Sequence, residues 1–296
     1  MTTLASAPLA ENSIGMEDVI LQSANHRNIH AKVFHTQHAK SVVILAPAMG
    51  VVQKHYEKFA LFLTEQNHEV ITFDYFGTGA SLQGHVKDCD TDVRQWGELD
   101  CEAVIHYAKK TYPNLKLQWV GHSVGGQLLG FIPSANQLDN AITIACGSGY
   151  WPHNSPPTRN IVWIAWYFIA PICLQLYGYF PGKKLNIVGD LAPNVLKQWR
   201  RWCMNKEYSI GVEGPEIRQR YADVEIPISS ISFSDDHMIS QRNTLSLHSF
   251  FEKAQVTQIR INPKEISEKS IGHLGWSREK LRDSLWSNKI LPLINN

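Results

Sequence analysis

Residues 117–125 of the chain read LQWVGHSVG. It contains the pattern G-x-S-x-G, formed by Gly121, Ser123 and Gly125, directly after an apolar run of strand-favouring residues. Glycines two residues either side of a serine let neighbouring backbone approach without a Cβ clash, which a sharp strand-to-helix turn needs. Residues 127–131 then have the pattern of a helix. A plain turn is the alternative, but this context favours a nucleophile elbow that exposes the Ser123 hydroxyl.

A serine hydroxyl is a weak nucleophile near neutral pH. A base must therefore remove its proton, and an acid must orient that base. Both residue types follow downstream: Asp235 and Asp236 come after one apolar run, and His273 lies between glycines after the next. Each candidate follows a predicted strand, so all would lie at the carboxyl edge of one parallel sheet. The sequence predicts Ser123, Asp236 and His273 as a catalytic triad.

Other residues near these positions offer alternative assignments. Asp236 is preferred as the acid because one residue and then two aliphatic residues follow it, and Asp235 remains the alternative. His122 fills the variable position of the elbow and is expected to shape that turn. His237 follows the aspartates too closely to occupy a separate loop. His273 is therefore the predicted base.

An acyl-transfer reaction also needs donors for the oxyanion, and backbone N–H groups held in place in advance supply them. We assign one donor to Val124, the residue after the nucleophile. The other is assigned to Met49, in a turn of small residues after the apolar run 42–45. An ordinary strand-to-helix turn is the alternative there. This chemistry needs no metal and no organic cofactor, and none is predicted.

Taken together, these residues resemble the α/β-hydrolases, and among them predicted bacterial hydrolases related to serine aminopeptidases and lysophospholipase-like enzymes. The resemblance covers most of the chain and includes the turn 46–50, the loop 73–81, the elbow and the loop 271–273. The first turn has Pro-Ala where the family has His-Gly, and Phe76 replaces an arginine. The resemblance implies an α/β-hydrolase fold: a mostly parallel central sheet, helices on both faces and an inserted helical cap.

The triad predicts a serine hydrolase that cleaves an ester or related acyl bond through an acyl-serine intermediate, with an apolar acyl substrate favoured. Acyl transfer to an alcohol, amine or thiol uses the same triad and is the nearest alternative. A non-catalytic binding protein on the same fold is the other. An intact triad favours an enzyme over the binding protein, but it does not separate hydrolysis from acyl transfer.

The composition agrees with a soluble enzyme. Of the 296 residues, 44% are hydrophobic and 19% are charged, as is ordinary for one large core. A formal net charge of +1 gives no field that would gather nucleic acid, and Gly77 and Gly79 lack the third glycine of a dinucleotide fingerprint. The five scattered cysteines predict free thiols. The first dozen residues lack a signal-peptide pattern, so a cytoplasmic location is expected.

After an opening hairpin that turns at residues 24–28, strand and helix patterns alternate up to Cys146 and resume near residue 227. This predicts an α/β core over residues 1–148 and 224–296, with a helical cap at 149–223. Five of the nine tryptophans fall in the cap, so it should form an apolar wall over the nucleophile. The candidate substrate contacts are Trp151, Trp163 and Trp166.

Within the cap, residues 161–180 contain no charged side chain, which raises the question of a membrane span. Pro171 interrupts the run, Gln175 dilutes it, and a span would separate Ser123 from the rest of the triad. We therefore predict an apolar cap helix, with shallow contact at a membrane surface as the intermediate alternative. A basic cluster nearby is expected to form a solvated helix face or to hold an acidic head group: Lys197, Arg200 and Arg201.

Overall fold

The computed structural model describes residues 15–24 and 27–296. The predicted start of the chain and the centre of the predicted first turn, residues 25 and 26, lie outside the described residues. The described chain forms one eight-stranded sheet. Its strands are β1 Gly15–Ser23, β2 Arg27–His35, β3 Ser41–Ala46, β4 His68–Phe73, β5 Lys116–His122, β6 Asn140–Ile144, β7 Ile228–Phe233 and β8 Val256–Ile261.

The strand order across the sheet is β1-β2-β4-β3-β5-β6-β7-β8. The strand β2 pairs antiparallel with both β1 and β4, whereas every pair from β4 to β8 is parallel. The mostly parallel sheet predicted from the sequence is confirmed. Because β5 lies at the centre of this parallel set, the residue that follows its carboxyl end sits between the loops of its neighbours.

Helices cover both faces of the sheet, as predicted. Alternate residues of β3 show this: Val42 and Ile44 belong to one buried cluster, Val43 and Leu45 to the other. Side chains alternate across a strand, so a strand buried on both faces is hydrophobic throughout. The helices are α1 Glu57–Glu65, α2 Val93–Gln95, α3 Glu102–Thr111, α4 Val124–Gln127, α5 Thr158–Ile164, α6 Ala170–Tyr177, α7 Gly182–Leu185, α8 Pro193–Met204, α9 Pro215–Ala222, α10 Gln241–His248 and α11 Leu291–Ile294.

Some helices are joined into longer ones by turns of π-helix. The π turn Trp96–Cys101 joins α2 to α3, and Ala165–Ile169 joins α5 to α6. The second of these gives one helix over residues 158–177, which we call the lid helix. By length and apolar composition it is the one segment of residues 15–24 and 27–296 that could cross a membrane.

The lid helix lies in the long connection between β6 and β7, the region predicted to form the cap. Its inner side packs against α8, where the rings of Trp166 and Trp199 meet edge to face with centroids 4.9 Å apart. The later helix α9 packs instead against the core: the Tyr221 hydroxyl donates to the Gln127 carbonyl. Within this connection, the lid helix and α8 therefore pack against each other, whereas α9 belongs to the core.

Candidate active site

The turn after β5 has the geometry that the sequence predicts. Ser123 adopts φ 52° and ψ −115°, a conformation that a residue with a side chain rarely takes. The flanking glycines are required by close packing. A Cβ at Gly121 would lie 2.5 Å from the Gly126 nitrogen, and one at Gly125 would collide with the Ala46 carbonyl. The strained turn therefore lifts the Ser123 side chain out of the line of the strand.

The structure brings Ser123, His273 and Asp236 together. The Ser123 Oγ lies 3.1 Å from His273 Nε2, and His273 Nδ1 lies 2.8 Å from Asp236 Oδ2. The other carboxylate oxygen of Asp236 accepts the backbone N–H groups of Met238 and Ile239, at 2.8 and 2.9 Å. These two bonds fix the carboxylate, so Oδ2 faces the imidazole. With its proton on Nδ1, the imidazole presents the Nε2 lone pair to the hydroxyl.

Asp235, the alternative acid, faces the backbone of the histidine loop instead of the imidazole. Its Oδ2 accepts the N–H groups of Ile271 and Gly272, at 2.8 and 3.1 Å. These two residues directly precede His273, so the carboxylate holds the loop that carries the base. The geometry therefore gives the two adjacent aspartates different partners: Asp236 orients the ring of His273, and Asp235 orients its backbone.

A buried chain of hydrogen bonds connects the elbow to the loops on either side of it. His122 Nε2 donates a hydrogen bond to the His273 carbonyl at 3.0 Å. Its Nδ1 is therefore an acceptor, and it accepts a hydrogen bond from the Tyr56 hydroxyl at 2.8 Å. The Tyr56 oxygen in turn accepts the Ala48 N–H at 2.9 Å. Burial lowers the pKa of His122 well below its usual value, which keeps the ring neutral as this pattern requires. Sequence reasoning expected His122 to shape the turn but missed Tyr56.

The predicted oxyanion donors border the space in front of the serine. Met49 and Val124 line the same cavity as Ser123. Neither backbone N–H has an acceptor within residues 27–296, so both are free to bind a substrate oxygen. The turn that carries Met49 is fixed on its other side, since the Tyr75 hydroxyl donates to the Pro47 carbonyl at 2.9 Å.

Ser123 and His273 border a cavity of about 510 Å³ beneath the lid helix. Among the described residues that line it, none is Asp, Glu, Lys or Arg. Likewise, no group of three or more His, Cys, Asp or Glu side chains in the described chain is placed to hold a metal ion. The wall is apolar and includes Val162, Trp166, Ile169, Phe180, Leu196 and Trp199.

Of the three tryptophans predicted to contact substrate, only Trp166 reaches the cavity. It is 7% exposed and lines the wall beside Trp199, which the prediction omitted. Trp163 is 40% exposed, and its ring packs on the outer flank of the lid helix against Phe168. Trp151 does not line the cavity either. Composition shows that a segment is aromatic but not which side faces inward, so it could not place Trp151 and Trp163 relative to the cavity.

One family model matches the part of the chain that carries Ser123. The model of the family described as serine aminopeptidase, S33, matches residues 37–182, a little under half of the chain. That region includes the turn that carries Met49, the elbow and the whole of the lid helix. No curated protein sequence matches the chain significantly.

Solved structures with the same fold cover nearly the whole chain. A thermostable carboxyl esterase from Bacillus coagulans matches with a TM-score of 0.65 at 16% identity, covering 96% of this chain and 99% of that one. An esterase from Pyrococcus furiosus gives 0.63 at 12% identity, covering 95% and 91%. The mouse α/β hydrolase domain-containing protein 10 gives 0.60 at 15% identity, covering 94% and 98%. At these identities the likeness establishes the fold.

Proposed function

We propose that the chain, which has the fold of the α/β-hydrolases, is a serine esterase acting on esters of apolar acyl groups. One observation carries the proposal. The Ser123 hydroxyl lies 3.1 Å from His273 Nε2, and the partner nitrogen of that ring lies 2.8 Å from the Asp236 carboxylate, at the wall of an apolar cavity. This is the arrangement that activates a serine as a nucleophile.

In the proposed reaction the Ser123 Oγ attacks the ester carbonyl carbon while its proton passes to His273 Nε2. Asp236 stabilises the imidazolium that forms, and the N–H groups of Met49 and Val124 bind the oxyanion. Collapse of the tetrahedral intermediate breaks the ester bond, and the leaving alcohol takes the proton from His273. Water then attacks the acyl-serine with His273 as its base, which releases the acid and restores the Ser123 hydroxyl.

The cavity favours an ester with an apolar acyl group over the amino terminus of a peptide. An aminopeptidase must bind the substrate's ammonium group, and burying that charge without a carboxylate partner is costly. The described lining residues offer no carboxylate. Two of the structures that share the fold are of esterases, which agrees with this choice.

The test is a series of p-nitrophenyl esters of increasing acyl length. Each methylene buried in the cavity contributes about 0.8 kcal/mol. We therefore expect kcat/KM to rise by up to about fourfold per added methylene until the cavity is full. Trp166→Ala should flatten this trend more than it lowers activity on the acetyl ester, because it removes part of the cavity wall.

The matched control is Trp163→Ala, which removes the same side chain outside the cavity. It should leave the dependence on acyl length unchanged. Free acid should be the main product in water, even with added alcohol. A wild-type preference for acetyl ester, or activity on peptides alone, would show that the cavity does not select acyl chains.

A further inference from the structure

The outer side of the lid helix is apolar and exposed. Phe168, Ile172 and Leu176 follow one another at intervals of four residues, which places them along one side of the helix. They do not line the cavity, and their exposed fractions run from 50% to 70%. A contiguous stripe of exposed apolar side chains on a protein surface marks a site where another molecule or a membrane binds.

The inner side of the same helix is held by the protein. Trp166, Ala170 and Cys173 are buried, and the Arg200 guanidinium donates to the Trp166 carbonyl. This side also forms the wall of the catalytic cavity. A helix that crosses a bilayer would have to leave these contacts, whereas a helix that lies along the surface keeps them all.

Basic side chains lie at both ends of the lid helix. Residues 149–204 contain six Lys or Arg and a single acidic residue, a net charge of +5, so the remainder of the chain carries −4 if the whole carries +1. Arg159 lies in the first turn of the lid helix and is exposed. At the other end, the Lys184 ammonium lies 5.4 Å from the centroid of the Tyr177 ring. The segment that carries the apolar stripe is therefore the positively charged part of the chain, with a basic side chain at each end of the lid helix.

We propose that the lid helix lies in the surface of an anionic lipid bilayer, with Phe168, Ile172 and Leu176 among the acyl chains. Apolar side chains with a basic border are the features that hold an amphipathic helix at such a surface. Tyr177 is suited to the edge of the inserted stripe, because tyrosine is enriched where the bilayer meets water.

The charge also argues against a second copy of the chain as the partner. In a two-fold interface the same patch faces itself, so two copies of the +5 segment would meet and repel each other. An anionic surface satisfies both the apolar stripe and its basic border. If the proposed function also holds, the cavity directly beneath the lid helix receives acyl chains from the bilayer.

Binding is tested with the Ser123→Ala protein, so that hydrolysis of lipid plays no part. Its partition is measured by co-sedimentation with vesicles of phosphatidylcholine alone and of phosphatidylcholine with phosphatidylglycerol in equal parts. We expect stronger binding to the anionic vesicles, weakening as salt is raised. Leu176→Gln together with Phe168→Gln should lower the partition coefficient by at least about tenfold, because two apolar side chains no longer enter the bilayer.

The controls are substitutions of the same residue types elsewhere on the surface. Leu245→Gln on α10 replaces another exposed leucine, 51% exposed, and should leave binding unchanged. Lys184→Gln should weaken binding to anionic vesicles by about fivefold, whereas Lys264→Gln should not. All five substituted positions are exposed, so the thermal transition should hardly move.

The proposal is overturned if neither vesicle binds the protein, or if Leu245→Gln weakens binding as much as the substitutions on the lid helix. It is also overturned if sedimentation equilibrium shows a wild-type dimer that the lid-helix substitutions dissociate, since the stripe would then belong to a second copy. Because the protein used is inactive, these outcomes do not depend on esterase activity. Loss of the proposed function would instead appear in the ester assays alone.

Discussion

Replacing Asp236 by asparagine tests how the base is oriented. In the structure one carboxylate oxygen accepts the N–H groups of Met238 and Ile239, and the other faces His273 Nδ1. An asparagine at this position must use its carbonyl oxygen for the two N–H groups. Its amide NH₂ group is then turned toward His273. The imidazole responds by presenting a lone pair at Nδ1 and carrying its proton on Nε2.

This tautomer cannot accept the proton of Ser123. The loss of the correct tautomer in a serine triad lowers kcat by about 10⁴-fold, which corresponds to about 5 kcal/mol of transition-state stabilisation. We expect that magnitude for Asp236→Asn. The thermal transition should change little, because both backbone N–H groups keep an acceptor.

Asp235→Asn is the matched control, since it makes the same change at the next residue. The asparagine oxygen can still accept the N–H groups of Ile271 and Gly272, and His273 keeps its tautomer. We therefore expect kcat within about tenfold of wild type. Steady-state kinetics on a p-nitrophenyl ester measures both variants. An Asp236→Asn enzyme within tenfold of wild type, or a larger loss from Asp235→Asn, would show that Asp236 does not orient His273.

Two further predictions concern buried groups. Tyr56→Phe removes the hydroxyl that joins Ala48 to His122. We therefore expect kcat to fall while KM for a p-nitrophenyl ester stays nearly constant. A lower melting temperature with unchanged kcat would show a purely structural role. Burial lowers the pKa of His248 from 6.5 to about 4 in the folded protein. Neutral His248 therefore contributes about 3 kcal/mol to the free energy of unfolding, which is fully present above pH 6.5 and is lost as the pH falls through 4. Urea unfolding between pH 4 and 7 measures this, and His248→Gln should flatten the profile; an unchanged profile would assign the pH dependence to other groups.

Much of the fold could be predicted because the sequence patterns of this chain are local. The predicted apolar run 42–45 lies in strand β3, and the apolar run before the elbow lies in β5. A strand buried on both faces needs only a short hydrophobic run bounded by turn residues, which is visible in the sequence. The alternation of such runs with helical patterns then fixes a parallel sheet.

The positions of Ser123, Asp236 and His273 could be predicted for the same reason. Each follows a predicted strand, and parallel strands bring their carboxyl ends to one edge. Their catalytic roles stay predictions, as do the oxyanion donors and the bounds of the cap. Tyr56 could not be found in this way, because its contact with His122 joins residues 66 apart that no pattern connects.

The sequence also could not predict which side chains of the lid helix point inward. A helix that is apolar all round gives no signal of which side is buried, so Trp163 and Trp166 could not be distinguished. Small residues offered a hint that was missed. Ala170 and Cys173 follow Trp166 at the spacing of one helix face, and close packing against another helix favours such small side chains.

The central claim is that Ser123 is the nucleophile of an acyl-transfer site, and covalent labelling tests it most directly. A fluorophosphonate reacts only with a serine whose base and oxyanion donors are in place. Mass spectrometry of the digested, labelled protein should find a single modified peptide containing Ser123, and Ser123→Ala should abolish labelling without moving the thermal transition. Labelling at a different serine, or none on the folded wild-type protein, would contradict the account.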